Sequence, residues 1–347
     1  MNKGNPYTLG FGRIPNEYIS RDVLISDIIE ALNNDMVDDQ AFKLTGIRGT
    51  GKTVTLTAIE RELRQEKEWI IVNLRFNADL LVDLVGILYS EVPFLTKFID
   101  SNLNLTAFGI GVNISQKSPV ASISVALRKL LKEIKKQKKK LLITIDEVQK
   151  TQPLLDFIQE FQILIREDYP IYFIAAGLYE DIEAIENEEG MTFFLRAAKY
   201  EMKPLNLNII KESYKATLKL SDETATKLAR LTKGYAFAFQ VFGAFMWESG
   251  GKEITDLMLA KVDDALSEKV YSKIWSELAP ADKWFLSFII KKDSMPVSEL
   301  LELTKKKHSD WSRPRKRLAE KGVIDKTLRG EVKIILPRFK EFVEAQI

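Results

Sequence analysis

The feature that constrains this chain most is the octapeptide Gly46-Ile47-Arg48-Gly49-Thr50-Gly51-Lys52-Thr53, a G-x-x-x-x-G-K-T pattern set between an apolar run and a helical pattern. Ala41 to Thr45 reads as a short buried strand, and beyond the octapeptide Leu56, Ile59 and Leu63 recur at helical spacing. Strand, glycine loop and helix in that order make a phosphate cradle. Glycines let the backbone wrap round phosphate oxygens, the helix start offers unpaired N–H groups and a positive dipole end, and a lysine neutralises the β/γ-phosphates. Lys52 is that lysine, and Thr53 supplies a hydroxyl to Mg²⁺. The positions expected to touch nucleotide are Gly46, Arg48, Gly49, Thr50, Gly51, Lys52, Thr53 and Val54.

Further along, the apolar run Leu141-Leu142-Ile143-Thr144-Ile145 ends in Asp146-Glu147. An aspartate at a strand's carboxyl end can hold the Mg²⁺ shell, and the adjacent glutamate can polarise a water against the γ-phosphate. A strand ending in Asp-Glu is common by itself. Combined with the glycine loop it points to ATP hydrolysis, with Lys52 and Glu147 as catalytic residues, Thr53 and Asp146 as metal ligands, and ATP and Mg²⁺ as cofactors. The lysines from Lys135 to Lys140 read as cations closing a helix C-terminus, with a nucleic-acid patch as the other reading.

Composition removes other chemistries. In 347 residues there is no cysteine and a single histidine, His308, which excludes disulfides, thiolate zinc and multi-histidine metal sites. His308 lies among lysines with no nucleophile-elbow sequence beside it, so a Ser-His-Asp site is not expected. The chain is 46% hydrophobic and 29% charged, a balance that supports two or three globular domains. No stretch approaches the roughly 20 apolar residues of a membrane span, and the start lacks a signal-peptide core. A cytoplasmic protein with no membrane partner is expected.

Further strands are read at 69–74, 171–176 and 200–202, and helices at 80–90, 122–134 and 153–166. Strands alternating with helices imply an α/β fold whose parallel sheet is covered on both faces, with ligand at the strands' carboxyl ends. Residues 102–118, with Gly109 and Gly111, read as an excursion from this body. From 206 the pattern turns helical, at 209–220, 222–231, 235–247 and 254–274. Ser221 is placed to cap the second of these helices and Lys233-Gly234 to stop it. Beyond Ala279-Pro280 come helices at 282–290, 297–304 and 309–320, then a hairpin pairing 323–325 with 332–336, which together make a winged helix. Pro314 sits badly inside a helix from Ser309, and a start capped by Ser312 would place it in the first turn. The expected domains are an ATPase body at 1–206, a helical lid at 207–277 and the winged helix at 278–347.

Charge divides along that boundary. Residues 278–347 hold 16 Lys and Arg against 10 Asp and Glu, and the preceding residues hold 35 against 39, so the net charge of +2 hides a body at −4 and a terminal module at +6. Lys305, Lys306, Lys307 and His308 lead into the third helix, where Arg313, Arg315, Lys316 and Arg317 follow, with Lys326 and Arg329 near the wing. Arg313, Arg315, Lys316, Arg317 and Arg329 are the expected contacts to double-stranded DNA. A protein-docking module on the same fold is the other reading.

Taken together, the loop at Gly46 to Thr53, Asp146-Glu147, the helical lid and the terminal module resemble the AAA+ ATPases, in the branch of the origin-recognition initiators and the related STAND-type switch ATPases. The opening residues Phe11-Gly12-Arg13-Ile14-Pro15 through Ile19-Ser20-Arg21-Asp22 look like that family's adenine-side segment, with Ser20 where glycine is usual. Leu195-Arg196-Ala197-Ala198 before Met202-Lys203-Pro204-Leu205 is similar to the segment carrying the arginine finger. The resemblance thus implies that Arg196 completes a neighbour's site on self-association; an ordinary surface arginine is the alternative.

Two departures from the family matter. Its fourth strand usually ends in a polar sensor, and this chain has Ala175-Ala176-Gly177 there. Initiators carry a sensor arginine in the lid, whereas Gly234-Tyr235-Ala236-Phe237-Ala238-Phe239-Gln240 holds none and looks more like the STAND Gly-x-Pro segment with Ala236 in place of proline. Both losses remove stabilisation of charge on the transferring phosphoryl, so slow hydrolysis is expected. The expected function is a slowly hydrolysing ATP switch on DNA. The alternative is a STAND-type signalling or defence ATPase whose winged helix packs on protein, and a small-molecule phosphotransferase leaves the lid and terminal module without a role.

Overall fold

The computed structural model describes residues 4–10, 14–34, 39–77, 79–102, 105, 108–110, 122–250, 253–292 and 294–347. Phe11-Gly12-Arg13 of the adenine-side segment, and most of the 102–118 excursion, lie outside the described residues. The chain divides into two compact units, one of Arg21–Gly46 and Lys52–Glu201, the other of Met1–Ser20, Ile47–Gly51 and Met202–Ile347.

The first unit runs α1 (Asp22–Asn33), β1 (Ala41–Thr45), α2 (Lys52–Leu63), β2 (Trp69–Leu74), α3 (Leu80–Glu91), α4 (Pro93–Asn102), α5 (Ile123–Lys136), β3 (Lys140–Ile145), α6 (Gln152–Arg166), β4 (Ile171–Gly177), α7 (Tyr179–Glu186), α8 (Thr192–Arg196) and β5 (Ala198–Glu201). Its five strands are all parallel, in the order β2-β3-β4-β1-β5. Every residue of β1, and every residue of β3 after Lys140, is buried, so both faces of the central strands are covered. That double burial is why these strands read as unbroken apolar runs. Phe157, Phe161, Phe173 and Phe194 pack together in the core between sheet and helices. The expected edge strand at 200–202 lies instead at Ala198–Glu201. The helix α1 escaped the sequence reading although Ile25, Ile28 and Leu32 recur at helical spacing and are buried.

The second unit holds α9 (Leu207–Leu218), α10 (Asp222–Leu231), α11 (Ala236–Ser249), α12 (Asp256–Leu266), a π-helical turn (Ser267–Tyr271), α13 (Ser272–Glu277), α14 (Pro280–Ile289), β6 (Ser294–Pro296), α15 (Val297–Thr304), α16 (His308–Glu320), β7 (Glu331–Lys333) and α17 (Phe339–Glu344). Ser221 caps α10, its hydroxyl accepting the Thr224 N–H at 3.1 Å. After that helix Lys233 and Gly234 both take positive φ, the left-handed stop anticipated there.

The terminal segment differs from expectation in two respects. Helix α16 starts at His308, not at a Ser312 cap, because Asp310 accepts the Lys307 N–H at 3.0 Å and closes the helix start. Pro314 therefore lies inside the helix, with its ring buried. The hairpin is also shorter than expected. Ile324 bridges Ile334, flanked by hydrogen bonds from Asp325 to Lys333 and from Ile335 to Val323, while β7 forms its ladder with β6. A three-residue strand ending in Pro296 offers no alternating pattern to detect.

Candidate nucleotide site

The octapeptide is divided along the chain between the two units, Gly46 and Lys52 onward in the first, Ile47–Gly51 in the second. In the first unit, Gly46 extends from β1 and donates its N–H to the Gly177 carbonyl at the end of β4. Lys52 opens α2 and its Nζ donates to the Gly46 carbonyl at 2.9 Å, drawing the two ends of the loop together. One residue on, the Thr53 hydroxyl donates to Asp146 Oδ2 at 2.5 Å. Asp146 stands just past β3, and its other oxygen accepts the N–H of Glu147 at 2.9 Å. Glu147 has φ of +52°, a left-handed turn that separates its exposed side chain from the strand. The backbone returns at once, with the Val148 N–H donating to Ala176 at 2.9 Å. The residues read as metal ligands and catalytic base are thus gathered at the carboxyl end of β3 and the start of the helix that follows β1.

Thr53 and Asp146 suit Mg²⁺ chemically. Both offer hard oxygen donors, and that ion commonly takes one or two protein oxygens and completes its octahedron with phosphates and water. Among the described residues no cluster of three or more His, Asp or Glu could hold a metal by itself.

The end of β4 carries no polar side chain: Ala175 and Ala176 are buried, and a Cβ on Gly177 would meet Val148 at 2.8 Å. Arg196 ends α8 and is exposed. The residue that fixes this short helix is Lys43, in the middle of β1. Its buried Nζ donates to the carbonyls of Phe194 at 2.7 Å and Leu195 at 3.1 Å, and pairs with Glu186 at 2.7 Å. Burial pulls the Lys43 ammonium below its ordinary pKa, with Glu186 opposing. Lys43 escaped the sequence reading, although a lone charge inside the strand Ala41–Thr45 was the available signal.

In the second unit, the loop tip is held by the start of α11. Gly49 has φ of +72°, and a Cβ there would lie 2.2 Å from the Tyr235 hydroxyl. That hydroxyl donates to the Arg48 carbonyl at 2.6 Å, and the Phe237 N–H donates to the Gly49 carbonyl at 3.0 Å. Burial raises the Tyr235 phenol well above its ordinary pKa, so it remains a donor. Thr50 closes the tip onto the Ile47 carbonyl at 2.9 Å. Arg48, expected at the nucleotide, directs its guanidinium to Glu277 at 3.5 Å; Glu277 also receives Lys273 at 3.3 Å and Lys321 at 2.9 Å. Ile47 packs on Gly322, in the turn after α16.

The basic residues of α16 fall into two groups. Arg313 and Lys316 are exposed, as is Arg329 beyond the helix, and Lys316 pairs with Glu320 at 3.3 Å, one turn on. Arg315 donates to the Leu328 carbonyl at 2.8 Å, and Arg317 forms a two-pronged pair with the fully buried Asp282 at 2.6 and 2.8 Å. Those two hold α16 against the turn at Leu328 and against α14.

Residues 268–343 match a family model described as a domain of unknown function, DUF8462. No curated protein sequence matches the chain. Among solved structures, the ORC2 protein of Aeropyrum pernix in its ADPNP-ADP complexes is similar at 14% identity and a TM-score of 0.58, over 97% of this chain and 96% of that one. The ORC1 protein of Aeropyrum pernix in complex with DNA has 14% identity and a TM-score of 0.48, and CDC6P of Pyrobaculum aerophilum 15% and 0.46, each covering 97% of this chain and 95% of the other. Along nearly its whole length this chain, with its parallel sheet in the order β2-β3-β4-β1-β5, shares the fold of that ORC2 protein.

Proposed function

We propose that this chain is an ATP-binding, slowly hydrolysing AAA+ switch that associates with double-stranded DNA through a winged helix at 278–347. The observation that carries the nucleotide reading is the 2.5 Å contact of the Thr53 hydroxyl with Asp146, beside a Lys52 held across the loop mouth. Its support from outside is the fold shared with an ORC2 protein solved with ADPNP and ADP. In this reading Lys52 lies against the β- and γ-phosphates, Thr53 and Asp146 hold Mg²⁺, and Glu147 takes a proton from the attacking water. Bound Mg²⁺ supplies charge neutralisation at the phosphate oxygens. Slow turnover follows from the apolar end of β4, which leaves the γ-phosphate one donor short. Arg196, exposed and held out by Lys43, would supply charge to a neighbouring copy's site.

For DNA, Arg313, Lys316 and Arg329 are the phosphate contacts, while Arg315 and Arg317 stiffen the module that presents them. A second reading, a STAND-type switch whose terminal module packs on protein, is favoured by that same engagement of Arg315 and Arg317, which leaves fewer cations on the groove-reading helix. A DNA-binding titration against salt, with and without ATP, separates the two. On DNA, Arg313→Ala and Lys316→Ala should each lower the slope of log affinity against log salt by about 0.9. Absence of DNA binding at low salt would overturn the first reading and favour the second.

A further inference from the structure

Beneath the Thr53–Asp146 contact lies a second connection between the same helix and the same strand. Glu60 on α2 is buried at 8% exposure, and among the described residues no cation pairs with it. Leaving a carboxylate in such a place is costly unless its lone pairs are filled. Glu60 Oε1 accepts from the Thr144 hydroxyl at 2.7 Å and from Asn73 Nδ2 at 2.5 Å, and Asn73 Nδ2 also donates to the Thr144 hydroxyl at 2.7 Å. The three groups close a ring in which each donor has an acceptor. Arg64, one turn beyond Glu60, donates to Asn73 Oδ1 at 3.3 Å and orients the amide.

The placement of these groups is specific. Thr53 and Glu60 are two helical turns apart and share one face of α2. Thr144 and Asp146 are two residues apart and share one face of the chain leaving β3. Asn73 is the register partner of Thr144 on the adjacent strand β2. Helix α2 is therefore tied to β3 by two rungs, Thr53 to Asp146 and Glu60 to Thr144. A single rung leaves a helix free to pivot about it, whereas two rungs fix its rotation about its own axis. An apolar pair would have filled the space, but only a directional bond sets that angle.

We propose that Glu60 is a positioning residue for the metal site: through Thr144 and Asn73 it sets the rotation of α2 so that the Thr53 hydroxyl and the Asp146 carboxylate converge on one ion. Glu60 itself touches neither nucleotide nor metal. This inference rests on the nucleotide reading of the site.

The test is binding of a fluorescent ATP analogue by the full chain, in EDTA and across a Mg²⁺ titration, for wild type, Glu60→Ala, Glu60→Gln and Thr144→Val. Outer-shell partners of metal ligands are typically worth about 10- to 100-fold in metal affinity. Glu60→Ala should therefore raise the Mg²⁺ midpoint by at least about tenfold while metal-free affinity stays within about twofold of wild type. Thr144→Val, which keeps the shape and removes only the hydroxyl, should shift the midpoint in the same direction and serves where Glu60→Ala folds poorly. Glu60→Gln keeps an oxygen in place and should restore the wild-type midpoint. An unshifted midpoint in both Glu60→Ala and Thr144→Val overturns the assignment, and so does a parallel fall in metal-free and Mg²⁺-dependent binding. Wild-type protein that binds no nucleotide overturns the reading of the site, and this assignment with it.

Discussion

Gly322 offers a direct test of how the turn after α16 packs on Ile47. It follows α16 with φ of +67°, and a Cβ added there would lie 2.2, 2.6 and 2.9 Å from Cγ2, Cδ1 and Cβ of Ile47. A new rotamer at Ile47 relieves the first two contacts but not the third, which involves the atom nearest its backbone. Gly322→Ala therefore carries two penalties: roughly 1–2 kcal/mol for an L-residue in the left-handed region and about 1–3 kcal/mol for overpacking. Gly330→Ala, at φ of +81° with nothing within 4 Å, carries only the first. The difference between the two variants, about 1–3 kcal/mol, isolates the Ile47 contact. Urea unfolding followed by tryptophan fluorescence measures it, with Trp275 and Trp311 reporting from the same unit. Adding Ile47→Ala to Gly322→Ala removes the two outer contacts and keeps the one to Cβ, so it should recover part of that difference, a coupling of the sign expected for touching residues. Equal losses in Gly322→Ala and Gly330→Ala, or no recovery in the double variant, would refute the packing of the loop against this turn.

Two further outcomes follow from the ion pairs. Lys43→Met removes the buried ammonium from Glu186 and from the two carbonyls that end α8; breaking such a pair from one side should destabilise the sheet unit by about 3–5 kcal/mol, read by urea unfolding. Glu277→Gln tests acid sensitivity. Desolvation would raise the Glu277 pKa, but Lys321, Lys273 and Arg48 outweigh it and hold the carboxyl below its ordinary 4.5. A depressed folded-state pKa stabilises above the unfolded value and is lost as pH falls through the folded one. Wild type should accordingly exceed Glu277→Gln in stability at about pH 6, and the gap should close on acidification to about pH 3. A gap that is constant with pH would show that the three cations do not stabilise the folded carboxylate.

The first four strands were legible because most of their residues are buried: the apolar runs at 41–45, 69–74, 141–145 and 171–176 could hardly be anything else once the glycine loop fixed the first. The loop and Asp146-Glu147 were legible for a different reason, since phosphate and metal chemistry restricts residue type at each position. Contacts made by side chains of ordinary composition left no such mark. Tyr235 at the loop tip and the Glu60 ring each depend on which strands and helices become neighbours, and the strand order is not written in local periodicity. The terminal segment shows the same limit. Eight Lys, Arg and His positions from Lys305 to Arg317 look alike in sequence, and only the fold separates Arg317, bound to Asp282, from Arg313 and Lys316, which face solvent. Pro314 misplaced the start of α16 because a proline inside a helix is disfavoured locally, while burial of its ring is a tertiary gain.

The central proposal is that Lys52, Thr53, Asp146 and Glu147 hold Mg²⁺·ATP and hydrolyse it slowly to ADP and phosphate. Its most direct test is a single-turnover measurement, in which the purified chain is loaded with γ-labelled ATP and the release of phosphate is followed in wild type and Glu147→Gln. Stoichiometric binding by both, a wild-type rate well below about one per second, and no release from Glu147→Gln are expected. Failure of wild type to retain ATP, turnover of many ATP per second by a monomer, or unchanged release from Glu147→Gln would contradict it.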